Sequence, residues 1–217
     1  MINNEIPLSQ SVRIQPKNKI VITVIGESGV GKTSFLNSLI FSSNTVNQRQ
    51  VPTLGLDIRY WRVNNDLLIK FYEVGEFTLK NNGELFENLS EVSSYIFYVV
   101  DYSNPNSVDY INDFKKYFAK NKLVVIFNKE DRQKLLSEQS DSFFKFKNGY
   151  SIEKIISTNC YNKDIIDKVK LEIEEIIKKG LDGQNDEELN KKQSLFDKDV
   201  DAQYSRPEPK KKNIGCF

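Results

Sequence analysis

The sequence predicts an α/β fold in which a mostly parallel sheet carries helices on both faces. Continuous apolar runs mark the strands, beginning with IVITVI at residues 20–25, because a strand covered on both sides has no need of polar positions. Stretches with helical periodicity separate these runs, and such alternation is typical of doubly wound sheets. A hairpin at residues 56–74 adds an antiparallel strand, with NND as its turn, since Asn and Asp tolerate left-handed backbone conformations.

The other elements follow from the same two patterns. Apolar runs predict strands and periodic stretches predict helices: strands at 95–100, 123–127 and, from a weaker run, 154–156, and helices over 33–41, 107–120 and 163–179. The last helix has one apolar stripe at three- and four-residue spacings, which would face the sheet.

Length and composition indicate one globular domain with polar extensions. Of 217 residues 39% are hydrophobic, and 31 basic residues almost balance 30 acidic ones, so net charge favours neither nucleic acid nor membrane as a partner. The absence of histidine excludes Ser/His/Asp hydrolases and histidine-ligated metal sites. We predict a flexible extension over 1–18, a domain over 19–179, and a disordered, polar tail over 180–217.

A phosphate-binding loop is predicted directly after the first strand. GESGVGKT at residues 26–33 matches G-x-x-x-x-G-K-[ST], in which backbone N–H groups and the following helix N-terminus surround a phosphate. Lys32 would reach the β- and γ-phosphates, and the Thr33 hydroxyl would bind Mg²⁺. The candidate nucleotide-binding residues of this segment are Gly26, Glu27, Ser28, Gly29, Val30, Gly31, Lys32, Thr33 and Ser34.

A second motif indicates which base is bound. NKED, residues 128–131, follows the predicted strand 123–127, at the sheet edge where ligands bind in such folds. The Asp131 carboxylate can accept from N1–H and the 2-amino group of guanine, which adenine does not offer. The motif therefore favours a guanine nucleotide over ATP.

In motif order the chain resembles the Ras superfamily of small GTPases over about residues 19–179. GESGVGKT is followed by VPTLGLDI at 51–58 and then by NKED, and PTLGLDI is most similar to the first switch of the Rab branch. The resemblance implies a P-loop G domain with a six-stranded sheet and one antiparallel edge strand. It also implies a GTP/GDP switch with Mg²⁺, in vesicle or membrane traffic.

The resemblance also implies roles for further residues. Thr53 would bind Mg²⁺ and the γ-phosphate in the GTP state, and the Gly75 N–H would meet the same phosphate. Asn128 and Lys129 would hold and flank the base, and the family's serine-alanine-lysine loop would correspond to Ser157, Thr158 and Asn159, with Asn159 in place of the lysine. Effectors and regulators would bind the switch regions, about 45–57 and 75–93.

FYEVGEF, residues 71–77, departs from the family pattern of aspartate-x-x-glycine-glutamine. Counting from Gly75, Tyr72 stands where the family has the aspartate that holds a Mg²⁺-bound water, and Glu76 replaces the glutamine that orients the attacking water. Glu73 comes one residue later and is expected on the opposite face of the strand.

We therefore expect slow GTP hydrolysis, with Lys32, Thr53, Gly75 and Glu76 at the reacting phosphate. A scaffold that binds nucleotide permanently or not at all is the main alternative, and a P-loop ATPase or kinase is the third.

The tail contains a candidate membrane anchor. Lys210, Lys211 and Lys212 precede Cys216, and basic residues beside a terminal cysteine suit a lipid anchor on an anionic surface, although such a run is also common on solvated surfaces. Only Phe217 follows the cysteine in this sequence, which does not fit the C-a-a-X pattern. Two cysteines and the lack of a secretory signal lead us to expect a cytoplasmic protein, with Cys216 as a candidate lipidation site on the cytosolic face of a vesicle or organelle.

Overall fold

The fold is taken from a computed structural model that describes residues 16–41, 52–117, 121–132, 146, 148–181, 191–196 and 198. Within these residues six strands form one sheet, in the order β2-β3-β1-β4-β5-β6. Neighbouring strands are parallel except for β2, which pairs with β3 in antiparallel register. The strands are β1 (Asn18–Ile25), β2 (Leu56–Arg62), β3 (Leu67–Val74), β4 (Tyr95–Asp101), β5 (Lys122–Asn128) and β6 (Ile152–Ser157). The predicted fold class is confirmed.

Helices cover both faces of this sheet. The helices that flank the sheet are α1 (Lys32–Phe41), α2 (Glu76–Asn81), α3 (Gly83–Val92), a 3₁₀ helix (Pro105–Tyr117) and α4 (Lys163–Leu181). Residues of α1 and α4 share one buried apolar cluster with the sheet, and residues of α2, α3 and the 3₁₀ helix share the other. Since β1 pairs with β3 on one side and β4 on the other, the loop after β1 lies where the strand order reverses, the usual ligand site of such sheets.

Helices α2 and α3 were not predicted from the sequence. They are short, and a single residue, Asn82, separates them. The Asn82 side chain accepts a hydrogen bond from the Leu85 N–H at 3.0 Å, which caps α3. The predicted second switch region, 75–93, therefore consists mainly of two helices, the second of which is capped by Asn82.

The predicted helix over 107–120 is instead a 3₁₀ helix over Pro105–Tyr117, and residues 118–120 lie outside the described part of the chain. The buried Tyr98 hydroxyl donates to the Ser107 carbonyl and lies 3.3 Å from the Val108 carbonyl. These contacts join the start of the 3₁₀ helix to β4.

Part of the segment predicted as a disordered tail is ordered. Helix α4 continues to Leu181, and residues 191–196 form a helix that packs on the domain. The Gln193 amide donates to the Val92 carbonyl at 2.9 Å, and the Phe196 ring meets Tyr72 edge-on with centroids 5.6 Å apart. Among the described helices none has the length and apolar character needed to span a bilayer.

Candidate functional site

A cleft of about 320 Å³ lies at the carboxyl ends of β1, β3 and β5. It collects residues that are far apart in the chain: the loop after β1, the segment before β2, the start of α2, and the loops after β5 and β6. Of the predicted site residues, the cleft is lined by Ser28, Gly29, Gly31, Lys32, Thr33, Ser34, Thr53, Glu76, Asn128, Lys129, Asp131 and Asn159. Its volume is within the range of small-molecule sites.

The phosphate loop has the conformation that its glycines permit. Gly29 and Gly31 have φ of 80° and 97°, values that other residues rarely adopt. A Cβ on Gly31 would stand 2.3 Å from the Asn128 amide nitrogen. That amide donates to the Val30 carbonyl at 2.8 Å and so joins the loop to the end of β5. Gly26, Glu27 and Val30 lie in the loop but do not line the cleft.

Lys32 lies beneath the loop with 7% of its surface exposed. Its ammonium donates to the carbonyls of Gly26 at 2.8 Å and Glu27 at 2.9 Å. Burial lowers the pKa of Lys32, and the Glu73, Glu76 and Glu27 carboxylates act against this change. A cation is therefore held at the loop, where a phosphate would compensate it.

Three oxygens from three segments meet beside Lys32. The Thr33 hydroxyl donates to Glu73 Oε1, and the Thr53 hydroxyl lies 3.2 Å from the same oxygen and 3.4 Å from Thr33 Oγ1. The two residues predicted to bind Mg²⁺ are thus adjacent. Counting residues from Gly75 did not assign a metal-binding role to Glu73, whose side chain is fully buried.

The expected faces of Tyr72 and Glu73 are reversed. Side chains alternate on β3, so the two residues do point to opposite faces, as predicted. It is Glu73, however, that shares a face with Phe71 and points toward α1, where Thr33 begins the helix. Tyr72 belongs to the apolar cluster on the other face. Tyr72 therefore fills core space, and the carboxylate near the predicted metal ligands is that of Glu73.

These oxygens suit a magnesium ion. Mg²⁺ prefers oxygen ligands in octahedral geometry at about 2.0–2.1 Å, which separates neighbouring ligand oxygens by about 3 Å. Two of the three oxygen pairs, at 3.2 and 3.4 Å, come close to this separation, whereas the Thr33 and Glu73 oxygens lie closer together and would have to move apart. Among the described residues no group of three or more His, Cys, Asp or Glu side chains could hold a metal. A metal here would depend on two hydroxyls, one carboxylate and the phosphates of a nucleotide.

Gly75 contacts the first switch region rather than lining the cleft. Its N–H, predicted to meet a γ-phosphate, donates to the Gly55 carbonyl at 2.8 Å. A Cβ on Gly75 would stand 2.0 Å from the Thr53 carbonyl oxygen. The glycine therefore permits the close approach of the segments that contain Thr53 and Glu76.

Glu76 lines the cleft and contacts the phosphate loop. Its Oε2 accepts from the Ser28 N–H at 2.8 Å, and its Oε1 pairs with Lys80 at 2.6 Å. The hydrogen bond from Lys80 lowers the pKa of the Glu76 carboxyl, so this group stays charged at neutral pH. A carboxylate thus holds one of the N–H donors that the motif offers to phosphate.

The other end of the cleft carries the predicted base-binding residues. The Lys129 ammonium donates to the Gly29 carbonyl at 2.7 Å and pairs with Asp101 at 2.5 Å, and its backbone has φ of 65°. The exposed Asp131 lines the cleft near Asn128. Its carboxylate is therefore accessible from the cleft, and its contact with a guanine base stays a prediction.

The loop after β6 is offset from the expected alignment. Asn159 lines the cleft, but Ser157 and Thr158 do not, and the cleft is also lined by Cys160 and Tyr161, which the sequence did not indicate. The Cys160 thiol lies 3.0 Å from Asn128 Oδ1, and burial raises its pKa to about 12. In the sequence, the weak match of ISTN to the family's serine-alanine-lysine loop was the signal that indicated this offset.

Together the parallel sheet, the phosphate loop and the threonine of the first switch region define a Ras-superfamily GTPase domain. Residues 19–131 match the family model described as the Roc, or Ras of Complex, domain of DAPkinase. The match covers more than half of the 217 residues, and the chain belongs to the Roc family. Neither this match nor the structural comparison supports the Rab branch.

A solved structure with the same fold is that of Methanosarcina barkeri Roco2 RocCORdC bound to GDP. The two chains align with a TM-score of 0.58 and 20% sequence identity, so the likeness concerns the fold. The alignment covers 76% of this chain and 50% of that one, so this chain spans about half the length of the solved protein. No curated protein matches the chain.

Proposed function

We propose that this chain is a guanine-nucleotide switch that binds GDP and GTP in the cleft. The observation that carries the proposal is the convergence of the phosphate-loop lysine, the hydroxyls of Thr33 and Thr53, and Asp131 around one cavity. Nucleotide binding by the related Roco2 protein, whose structure holds GDP, agrees with this assignment.

Each residue has a distinct part in the proposed binding. Lys32 would exchange the carbonyls of Gly26 and Glu27 for phosphate oxygens, and Thr33 and Thr53 would hold Mg²⁺. Bound Mg²⁺ would offset phosphate charge in the cleft. Asp131 would select guanine through the donors on its base edge.

Equilibrium binding of fluorescent GDP to the full chain tests the proposal. We expect tight binding that unlabelled GTP and GDP reverse and that equal concentrations of ATP leave unchanged. Equal competition by ATP would contradict the role of Asp131, and absence of binding would contradict the switch as a whole.

GTP hydrolysis is proposed to be slow, because Glu76 is bound to the Ser28 N–H rather than free to orient a water. GTP would also have to displace this carboxylate. Since the contact is exposed, we expect Glu76→Gln to raise affinity for GTP relative to GDP by only about two- to fivefold. An unchanged affinity ratio in competition titrations, or a wild-type single-turnover rate equal to that of ordinary small GTPases, would count against this reading.

A scaffold without nucleotide cycling remains the second candidate, for a specific reason. Two backbone donors assigned to phosphate, the N–H groups of Ser28 and Gly75, have partners within the chain. Partner binding that is identical with GDP and with a non-hydrolysable GTP analogue would favour the scaffold over the switch.

We propose that partner proteins bind the surface formed by the two switch segments. Leu54 and Phe77 are 75% and 69% exposed, and the Thr78 hydroxyl joins their segments by donating to the Leu54 carbonyl at 2.8 Å. Within the predicted range 45–57, residues 45–51 lie outside the described part.

A role in vesicle traffic is also a proposal, and it depends on a membrane anchor. Lys210, Lys211, Lys212 and Cys216 lie outside the described residues. Intact-mass analysis of native protein tests lipidation directly, and an unmodified mass would remove the anchor.

A further inference from the structure

We infer that Glu73 supplies the carboxylate of the magnesium site, in place of the aspartate that FYEVGEF lacks. The inference rests on the proposed nucleotide binding and assigns a residue within it. Its starting point is that one oxygen, Glu73 Oε1, contacts the hydroxyls of both Thr33 and Thr53. A single carboxylate thus joins the helix after the phosphate loop to the first switch region.

The burial of Glu73 requires a compensating charge. Its side chain is 1% exposed, and a buried carboxylate is costly unless it is paired and hydrogen-bonded. Its second oxygen, Oε2, has no hydrogen-bond partner among the described residues. The unpartnered Oε2 lies 3.5 Å from Arg59 Nη2, while Oε1 is directed to the hydroxyls of Thr33 and Thr53.

A purely structural ion pair with Arg59 does not account for this arrangement. Arg59 Nη2 lies 3.5 Å from Glu73 Oε2, whereas it donates to Asp57 at 2.7 Å, and its other terminal nitrogen donates to Asn37. Paired arginine and carboxylate groups commonly form two parallel hydrogen bonds, and none is formed here. Arg59 thus lies behind the carboxylate near Oε2, while Oε1 is directed to the two threonines.

The strand explains why glutamate occurs at this position. Glu73 lies two residues before Gly75, one residue later than the family's aspartate, and pairs with Val24 of β1 and Asp57 of β2. On this register it is Glu73, not Tyr72, that points toward α1. The side chain of glutamate is one methylene longer than that of aspartate, and it reaches the hydroxyl of Thr33 at the first turn of α1.

The test is the Mg²⁺ dependence of GDP release from the full chain, followed with fluorescent GDP while free Mg²⁺ is varied. Wild-type protein is expected to release GDP slowly with Mg²⁺ and quickly in chelator. Glu73→Gln keeps the shape but removes the charge, and should need about 10- to 100-fold more Mg²⁺ for half-maximal slowing. Tyr72→Phe, at the position of the family's aspartate, is the matched control and should behave as wild type.

A second variant provides a test in case Glu73→Gln does not fold. Glu73→Asp keeps the charge but shortens the side chain, and should need an intermediate Mg²⁺ concentration; circular dichroism verifies that each variant is folded. If Glu73→Gln does not fold, an unchanged Mg²⁺ midpoint in Glu73→Asp overturns the inference.

The outcomes separate the two proposals. Equal midpoints for Glu73→Gln and wild type overturn the role of Glu73 but leave nucleotide binding intact. GDP binding by wild type that is indifferent to Mg²⁺ does the same. Failure of wild-type protein to bind GDP overturns both proposals.

Discussion

Replacing Gly75 with alanine should separate the two switch segments without unfolding the domain. Gly75 has φ of −67° and ψ of 143°, which alanine adopts without strain. The obstacle is the added Cβ, which would stand 2.0 Å from the Thr53 carbonyl oxygen, whereas contacts under 3.0 Å essentially never occur. The Thr53 backbone must therefore move by at least 1 Å.

The energetic cost should be local. Displacing the Thr53 segment sacrifices the hydrogen bond from the Gly75 N–H to the Gly55 carbonyl, worth about 0.5–1.5 kcal/mol. Replacement of glycine by alanine at a permitted conformation returns about 0.4–1 kcal/mol by restricting the unfolded chain. The free energy of unfolding should thus change by less than about 1 kcal/mol, while the N–H at position 75 becomes exposed.

Hydrogen exchange with urea denaturation tests both parts of this prediction. The amide at position 75 should exchange roughly tenfold faster in Gly75→Ala, at nearly unchanged unfolding free energy. Gly55→Ala is the matched control, because nothing lies within 4 Å of its added Cβ. Wild-type exchange at position 75 in Gly75→Ala would refute the steric argument.

Two further predictions concern the rims of the site. Burial raises the pKa of Cys160 to about 12, so its thiolate becomes abundant only as pH rises toward that value. In a Cys216→Ser background we therefore expect negligible maleimide labelling of Cys160 at pH 8. Rapid labelling at that pH would contradict the buried thiol. Gln193→Ala removes the donor to the last carbonyl of α3, and should weaken docking of 191–196 by about 1 kcal/mol. The rate of limited proteolysis after residue 181 measures this docking, and Leu195→Ala, which changes an exposed side chain, is the control. Equal cleavage rates for the wild-type protein, Gln193→Ala and Leu195→Ala would show that Gln193 does not hold the segment.

The sequence was sufficient where function depends on contiguous residues. GESGVGKT sets the positive φ angles of Gly29 and Gly31 and begins α1 at Lys32, because glycine spacing and backbone geometry are local properties. The alternation of apolar strands and periodic helices likewise predicted the parallel sheet, because hydrophobic periodicity indicates which faces of the strands and helices are buried.

Sequence reasoning failed where the outcome depended on which face of β3 meets α1. Alternation correctly separated Tyr72 from Glu73, but sheet pairing, not spacing from Gly75, decides which of them faces Thr33. One signal was available in LLIKFYEV. Lys70 and Glu73 are charged residues in a strand that is otherwise largely apolar, and since such residues are costly to bury, each indicates a specific partner.

The internal contacts of the site bear on how a nucleotide would gain affinity. The Ser28 N–H and the Gly75 N–H both have partners within the chain, so a phosphate contact at either would replace an existing hydrogen bond and contribute little net energy. The carboxylate of Glu73 differs, because Oε2 accepts no hydrogen bond from the described residues and Arg59 lies 3.5 Å away. The buried charge is therefore only partly compensated. A cation among Oε1, Thr33 and Thr53 would replace the hydrogen bond from Thr33 and would compensate this charge. On this reasoning Mg²⁺, more than the loop hydrogen bonds, should determine how long the nucleotide stays bound.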